Sequence, residues 1–263
     1  MKGKEGDHMP YCYYAAQTAP QLQALAASSA VVAVLPIGAV EQHGPHLPVG
    51  TDFLSAQDIT DLAMRKVQSD AQYLVLPPVI YGLSIEHLHV PGTITLMPET
   101  LIHLLTDIGE SLLRLGVKTM AVVNGHGGND SAVQIAGRLL RAKDMCVYMV
   151  DGGAIRSRIG AQEYDVHADE IETSVMMASH PEMVDTGRIT PDLSASVEKW
   201  HQSADCLGDL TAAWFIDDIS VEGVVGEPIR ASADFGKTFM ERQAEEIARA
   251  LELAGELSRR APT

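Results

Sequence analysis

Cysteine is scarce in this chain: Cys12, Cys146 and Cys206 are three scattered residues in 263. That excludes a disulfide framework and a paired-thiolate metal site, and it fits a reducing, cytoplasmic compartment. Basic residues are also in short supply, 19 against 35 acids, for a formal net charge of -16. Such a balance argues against nucleic-acid backbone or an anionic membrane as partner and leaves acids over to bind cations. No apolar run is long enough to span a bilayer. The N-terminus, MKGKEGDHMPYCYY, lacks the contiguous apolar core of a signal peptide. Aromatic residues are sparse at 5%, but 46% apolar and 21% charged residues are ordinary for a globular protein and exclude a disordered chain.

A chain of 263 residues lies near the upper size of one hydrophobic core, so the expectation is a single domain over residues 1–263, with 1–8 as a flexible extension. A capped helix is expected after Thr18 or Pro20. VVAVLPI at 31–37 then reads as a buried strand, and QYLVLPPVIYG as a second, interrupted by Pro77 and Pro78. Between them, 53–67 has helical composition. A short strand is expected at 93–96. Pro98 opens a helix that Gly116 stops, and VKTMAVV and MCVYMVD are further strands flanking the helix SAVQIAGRLLRAKD, which Asn129 or Asp130 caps. EIETSVMMASH is a helix whose Met176 and Met177 are core packing rather than sulfur ligands. The polar stretch 185–209 reads as loop or short helices. The last amphipathic helix runs from Lys237 to Arg260. Alternation of near-continuous apolar strands with helices predicts an α/β fold, a mostly parallel sheet covered on both faces.

The chemistry gathers directly after strands. EQHGPHLPVGTD follows VVAVLPI and places Glu41, His43, His46 and Asp52 within twelve positions, hemmed by glycines. Open α/β sheets bind ligands beyond the carboxyl ends of their strands. Carboxylate with imidazole and no thiolate suits a catalytic rather than a structural metal. NGHGGND, again downstream of a strand, presents His126 at the same sheet edge. Its rival reading, a phosphate-cradling loop, meets neither glycine-rich nucleotide fingerprint. DVHADEIETS contributes His167, Asp169, Glu170 and Glu172, although the helix dipole alone would favour a carboxylate at Glu172. No GxSxG occurs, and the cysteines lack a histidine-rich neighbourhood, so covalent acyl-enzyme chemistry is the weaker model.

Together with SIEHLHVPGTITL and GVVGEPIRAS, these segments resemble the creatininase (creatinine amidohydrolase) family, in order from about Val31 to Gly236. The resemblance implies a three-layer α/β/α sandwich. It also implies a carboxylate-imidazole site for two divalent metal ions (Zn, Mn or Fe) and a homo-oligomer, often a hexamer. Glu41, His43 and Asp52 fall on metal-binding positions, with Asp52 in the bridging place, and His126 falls on a further ligand position. Creatininase proper carries a glutamate two places after that histidine, where this chain has Gly128; Glu172 matches the glutamate that related members use instead. His167 lies where the family places a catalytic histidine, with Glu170 as an alternate proton carrier. Ser84, Glu86, His87 and His46 are the candidate substrate-binding residues.

The implied activity is hydrolysis of a non-peptide C–N bond, in a cyclic amide or formamide, by a metal-activated water acting on a small-molecule amide substrate. Creatinine itself is not expected, because Trp200 and Trp214 are the only tryptophans and lie later than those of the creatininases. Two rivals stand beside this reading: a peptide-processing member of the family, and a catalytically silent metal-binding assembly protein, which Gly128 favours.

Overall fold

The computed structural model describes residues 10–27, 30–150, 155–156, 159, 165–189 and 213–260. The expected extension at 1–8, most of the 185–209 stretch, Trp200 and Cys206 lie outside the described residues.

Among the described residues, five strands, β1 (Tyr11–Tyr13), β2 (Val31–Ile37), β3 (Gln72–Val75), β4 (Thr119–Asn124) and β5 (Cys146–Val150), form one sheet in the order β1-β3-β2-β4-β5. Every pairing is parallel. The helices bounded within the described residues are α1 (Ala19–Ala26), α2 (Thr51–Lys66), α3 (Pro98–Leu115), α4 (Asp130–Arg141), α5 (Glu170–Ser179), the short α6 (Ile216–Ile219) and α7 (Ala233–Arg260).

β2 is buried along its whole length because both its faces are covered. Val32 and Val34 join Tyr73, Val75, Ala121 and Val123 beneath α2, α5 and α7. Val31, Ala33, Leu35 and Ile37 pack on the other side with residues of α3 and α4. Two-sided burial is why the strand reads as an unbroken apolar run rather than an alternating one, and each fully buried valine or leucine contributes about 1.5–3 kcal/mol. The result is a three-layer α/β/α sandwich, as the sequence predicts.

Several expected elements differ. The strand at 93–96 reduces to one bridge, Val40 with Ile94, since the chain there only brushes the loop after β2. β1 has no counterpart in the sequence reading; three residues at a sheet edge carry too little periodicity to register. α7 begins four residues before Lys237. Asn129 does not cap α4 through its side chain. It is fully buried and ties three loops together instead: Nδ2 donates to the Gly38 carbonyl at 3.0 Å, and Oδ1 accepts from Leu83 N at 2.8 Å.

That tie matters for the site. Ile37 and Asn124 are register partners, so β2 and β4 end at the same level and their following loops emerge side by side. A bridge from Ile37 to Val79 brings in the segment after β3.

Candidate metal centre

Three loops converge at this carboxyl edge, and α2 and α5 bring their first turns to it. Asp52 is the second residue of α2 and Glu172 the third of α5, where the helix dipole favours a carboxylate. Glu41 and His43 come from the loop after β2, and His126 from the loop after β4. His167 is held by paired backbone hydrogen bonds with Val225. Ala168 takes a left-handed conformation at φ +50°, which reverses the chain between His167 and the start of α5. All these residues but Glu172 are buried.

Ring orientation follows from the hydrogen bonds. His43 Nδ1 lies 3.1 Å from the Glu41 carbonyl, an acceptor only, so it carries a hydrogen there and Nε2 is the atom turned to the acids. That atom is 3.1 Å from Asp52 Oδ1 and 3.6 Å from Glu172 Oε2. His126 Nε2 donates to the Leu83 carbonyl at 2.9 Å, which turns Nδ1 toward Asp52 Oδ2 at 3.4 Å. A histidine that spends one N–H on a backbone carbonyl and offers the other nitrogen is the usual arrangement of a metal ligand. Glu41 Oε2 and Asp52 Oδ2 are buried and have no hydrogen-bond donor. Glu41, Asp52 and His126 offer ligand atoms within 4.8 Å of one another, and so do His43, Asp52 and Glu172. Asp52 belongs to both groups. Glu41 also meets His43 with His167, and Glu86 with His87, in the same way, so this donor set fits divalent cations.

The charge state of the protein alone points the same way. Burial pushes the Glu41 carboxyl up, to about 8, against the pull of His126. Burial disfavours charge on His43 and His126, yet Asp52 leads the acids that carry His43 to about 10, and Glu41 those that carry His126 to about 9. Protons thus stand in for positive charge that cations would supply.

The remaining candidates divide. Ser84, Glu86 and His87 reach the cluster: Ser84 Oγ and Glu86 Oε1 lie 3.3 and 3.4 Å from His126 Nε2, and His87 Nε2 lies 3.5 Å from Glu41 Oε1. His167 stands between the rings of His43 and His87, with Nδ1 at 3.6 Å from Glu41 Oε1. His46 is buried behind the site with Nε2 on Thr173 Oγ1 at 2.8 Å, and it is not among the described residues that line the cavity. Glu170 likewise turns away, to Arg230 Nε at 3.4 Å, and does not join the cluster. Met176 is fully buried in a small apolar cluster, as core packing requires.

Sequence reasoning passed over two residues. Arg156 holds Glu172 at 3.1 Å and the fully buried Asp169 at 2.8 Å, and no motif marks it. Gln42 lies inside the first motif, hidden between two more conspicuous residues. A cavity of about 550 Å³ opens over the cluster, with Glu41, Asp52, Glu86, His87, His126 and His167 on its wall. Trp214, which the sequence reading set apart from the site, lines it too.

Comparison with known proteins agrees with the geometry. The family model described as creatinine amidohydrolase matches residues 15–251. A mycofactocin precursor peptide peptidase of Mycobacterium ulcerans is 35% identical over 209 residues, 78% of each chain. A creatinine amidohydrolase of Pseudomonas putida is 29% identical over 191 residues, 64% of this chain and 72% of that one. The solved structure "Creatininase Mn" superposes with a TM-score of 0.77 at 23% identity, covering 92% of this chain and 98% of that one. The chain belongs to the creatininase family, whose members are metal-dependent amidohydrolases.

Proposed function

We propose that this protein hydrolyses an amide C–N bond in a peptide, using two divalent cations. Glu41, Asp52 and His126 would hold one, and His43, Asp52 and Glu172 the other. The observation that carries the reading is the pair of orphaned buried oxygens, Glu41 Oε2 and Asp52 Oδ2, beside the His126 ring. Leaving such acceptors without a donor costs about 1–3 kcal/mol each or more, a cost a cation removes. Bound there, divalent cations supply Lewis acidity and make water a nucleophile at neutral pH.

The chain's own residues supply the proton path. His167 Nε2 sits 2.7 Å from the Gln42 carbonyl, so Nδ1 is bare and faces Glu41. As the oxygen of water bonds the carbonyl carbon, its proton passes to that Nδ1. When the C–N bond breaks, the same proton moves to the leaving nitrogen, so acid and amine are formed with no external donor. Glu86 and His87 stand on the wall where the substrate would lie, while Ser84 is fully buried beside His126. His46 and Glu170 have no part in this scheme.

Substrate class is drawn from the relatives: the 35% identity is to a peptide peptidase, and a cavity of about 550 Å³ accommodates several residues of chain. A second reading, the cyclic amide first expected, is favoured by the creatinine amidohydrolase relative. Incubating the zinc- or manganese-loaded protein with a mycofactocin precursor peptide, creatinine, lactams and formamides, with mass spectrometry of the products, separates the two. Cleavage of the peptide is expected. Turnover that persists after full demetallation, verified by elemental analysis, overturns the metal reading, and turnover of creatinine or a lactam in place of the peptide reverses the substrate.

A further inference from the structure

Gln42 lies between Glu41 and His43, and its side chain faces neither Asp52 nor Glu172 but two other histidines. It is buried, and its amide has no freedom to turn over. Oε1 accepts from the Gly44 N–H at 2.9 Å, which identifies the oxygen. Gly223, at φ +70°, lies flat against the group: a Cβ there would fall 2.1 Å from Oε1 and 2.6 Å from Cδ. Only glycine allows both that conformation and that approach. The amide nitrogen is left facing His87 and His167.

An amide nitrogen has hydrogens to give and no lone pair to offer. Its 2.8 Å contact with His87 Nδ1 therefore requires Nδ1 to be bare and the His87 hydrogen to sit on Nε2, the atom 3.5 Å from Glu41 Oε1. His167 is read by the backbone of the same residue, since its Nε2 lies 2.7 Å from the Gln42 carbonyl and must donate. The 3.1 Å approach of the Gln42 Nε2 to His167 Nε2 is then a contact of two hydrogen-bearing nitrogens, not a hydrogen bond. Both rings carry hydrogen on Nε2, but they are turned end for end. His87 presents an N–H and His167 a lone pair to one oxygen, Glu41 Oε1, with the two ring centroids 4.2 Å apart.

We infer that Gln42 is a positioning residue whose side-chain amide and backbone carbonyl fix His87 as a hydrogen-bond donor and His167 as an acceptor on the cavity wall. Amide hydrolysis needs both, a donor where oxygen gains charge and an acceptor for the proton of water. The consequence for catalysis rests on the proposed hydrolase function, whereas the proton positions do not.

The test is a two-bond proton–nitrogen correlation on the zinc-loaded full chain labelled with 15N-histidine, with His87 and His167 assigned by substitution. The wild-type protein is expected to show hydrogen on Nε2 of both rings. In Gln42→Glu a carboxylate oxygen replaces the amide nitrogen at nearly the same volume, draws the His87 hydrogen to Nδ1 and leaves His167 unchanged, because a backbone carbonyl holds it. Gln42→Met, which packs without a polar end, is expected to give a mixture at His87 alone. Peptide turnover by Gln42→Glu should fall about 100-fold, the usual scale for losing one positioned donor, with the zinc content unchanged. Hydrogen on Nδ1 of His87 in the wild type, or a His87 signal unmoved in both variants, overturns the inference even if the peptide is cleaved. The expected NMR pattern without any turnover would instead count against the hydrolase function.

Discussion

The carboxylate of Glu86 fills the space that a side chain at Gly128 would enter. A Cβ on Gly128 would fall 2.5 Å from Glu86 Oε1, 2.4 Å from His126 Nε2 and 2.3 Å from the Leu83 carbonyl. The carboxylate at that corner comes from the turn at Ser84–His87. Gly128→Ala should cost about 1–3 kcal/mol in urea denaturation, the range for overpacking a closed site. It should also weaken zinc binding in a chelator competition. Glu86→Ala combined with Gly128→Ala should recover only part of the loss, because the Leu83 backbone cannot move aside. A full recovery would mean that the crowding came from Glu86 alone.

Asp52 offers its two oxygens to two different histidines, 3.1 Å from His43 and 3.4 Å from His126. Removing that carboxylate should therefore weaken both cation sites together, whereas His43→Ala should weaken one. Elemental analysis after gel filtration is expected to give two equivalents of metal for the wild type, about one for His43→Ala and less than one for Asp52→Asn. Peptide turnover by Asp52→Asn should fall by about a thousandfold or more, the kinetic equivalent of losing several kcal/mol of charge stabilisation. An Asp52→Asn protein that keeps both metals would remove the shared-ligand arrangement.

Much of this was legible before the fold was known, and the reason is where the residues sit. β2 and the loop after it are contiguous in sequence, so Glu41, His43 and Asp52 announce themselves as one motif, and the strand's two-sided burial leaves an unmistakable apolar run. His126 needed only a strand end to be placed, whereas at Glu172 the helix start alone explains a carboxylate and the family resemblance was what marked it. What sequence could not show depends on direction rather than position. Glu170 and Glu172 lie on the same first turn of α5, yet one faces Arg230 and the other His43. His46 lies three residues from His43 but behind the loop, where burial and the neighbouring His43 hold its imidazole down, to about 4. Arg156 and Gln42 act through contacts across loops, which leave no periodic trace.

Arg156 is the counterion that lets α5 begin where it does. Asp169 is fully buried, caps α5 through the Glu172 N–H at 2.9 Å, and meets Arg156 at 2.8 Å. Burial pushes the Asp169 carboxyl up to about 6 even with Arg156 pulling it down. Arg156→Leu would leave that acid without its cation, and breaking a buried pair from one side costs about 3–5 kcal/mol. Chemical denaturation should show a loss of that order. Arg156→Lys should retain part of the stability but not the two-acid grip, since an ammonium cannot fork between Asp169 and Glu172. Equal stability of Arg156→Leu and wild type would mean that Asp169 is held by its cap alone.

Metal and protons compete for the same cluster, and the metal-free protein should betray this in its stability against pH. Glu41 titrates near 8 in the folded state against an ordinary 4.5, and His126 and His43 near 9 and 10 against 6.5. All three bind protons more tightly folded than unfolded, so the stability they contribute is lost as pH rises through that range. His87 and His46 are held at about 3 and 4, with His167 also well below the ordinary value; their burial withholds protons that the unfolded chain would take below 6.5. Stability of the metal-free chain should thus peak at about pH 6–7 and decline on both sides, with each proton worth about 1.4 kcal/mol per pH unit where it is fully released. Between pH 6.5 and 9 the melting temperature should drop by about 5 °C or more. Loading with zinc replaces the protons on His43 and His126, so the alkaline decline should flatten, and calorimetric titrations in buffers of different ionisation enthalpy should register proton release on binding. A metal-free protein equally stable at both pH values would mean that His43 and His126 are not holding protons in place of a cation.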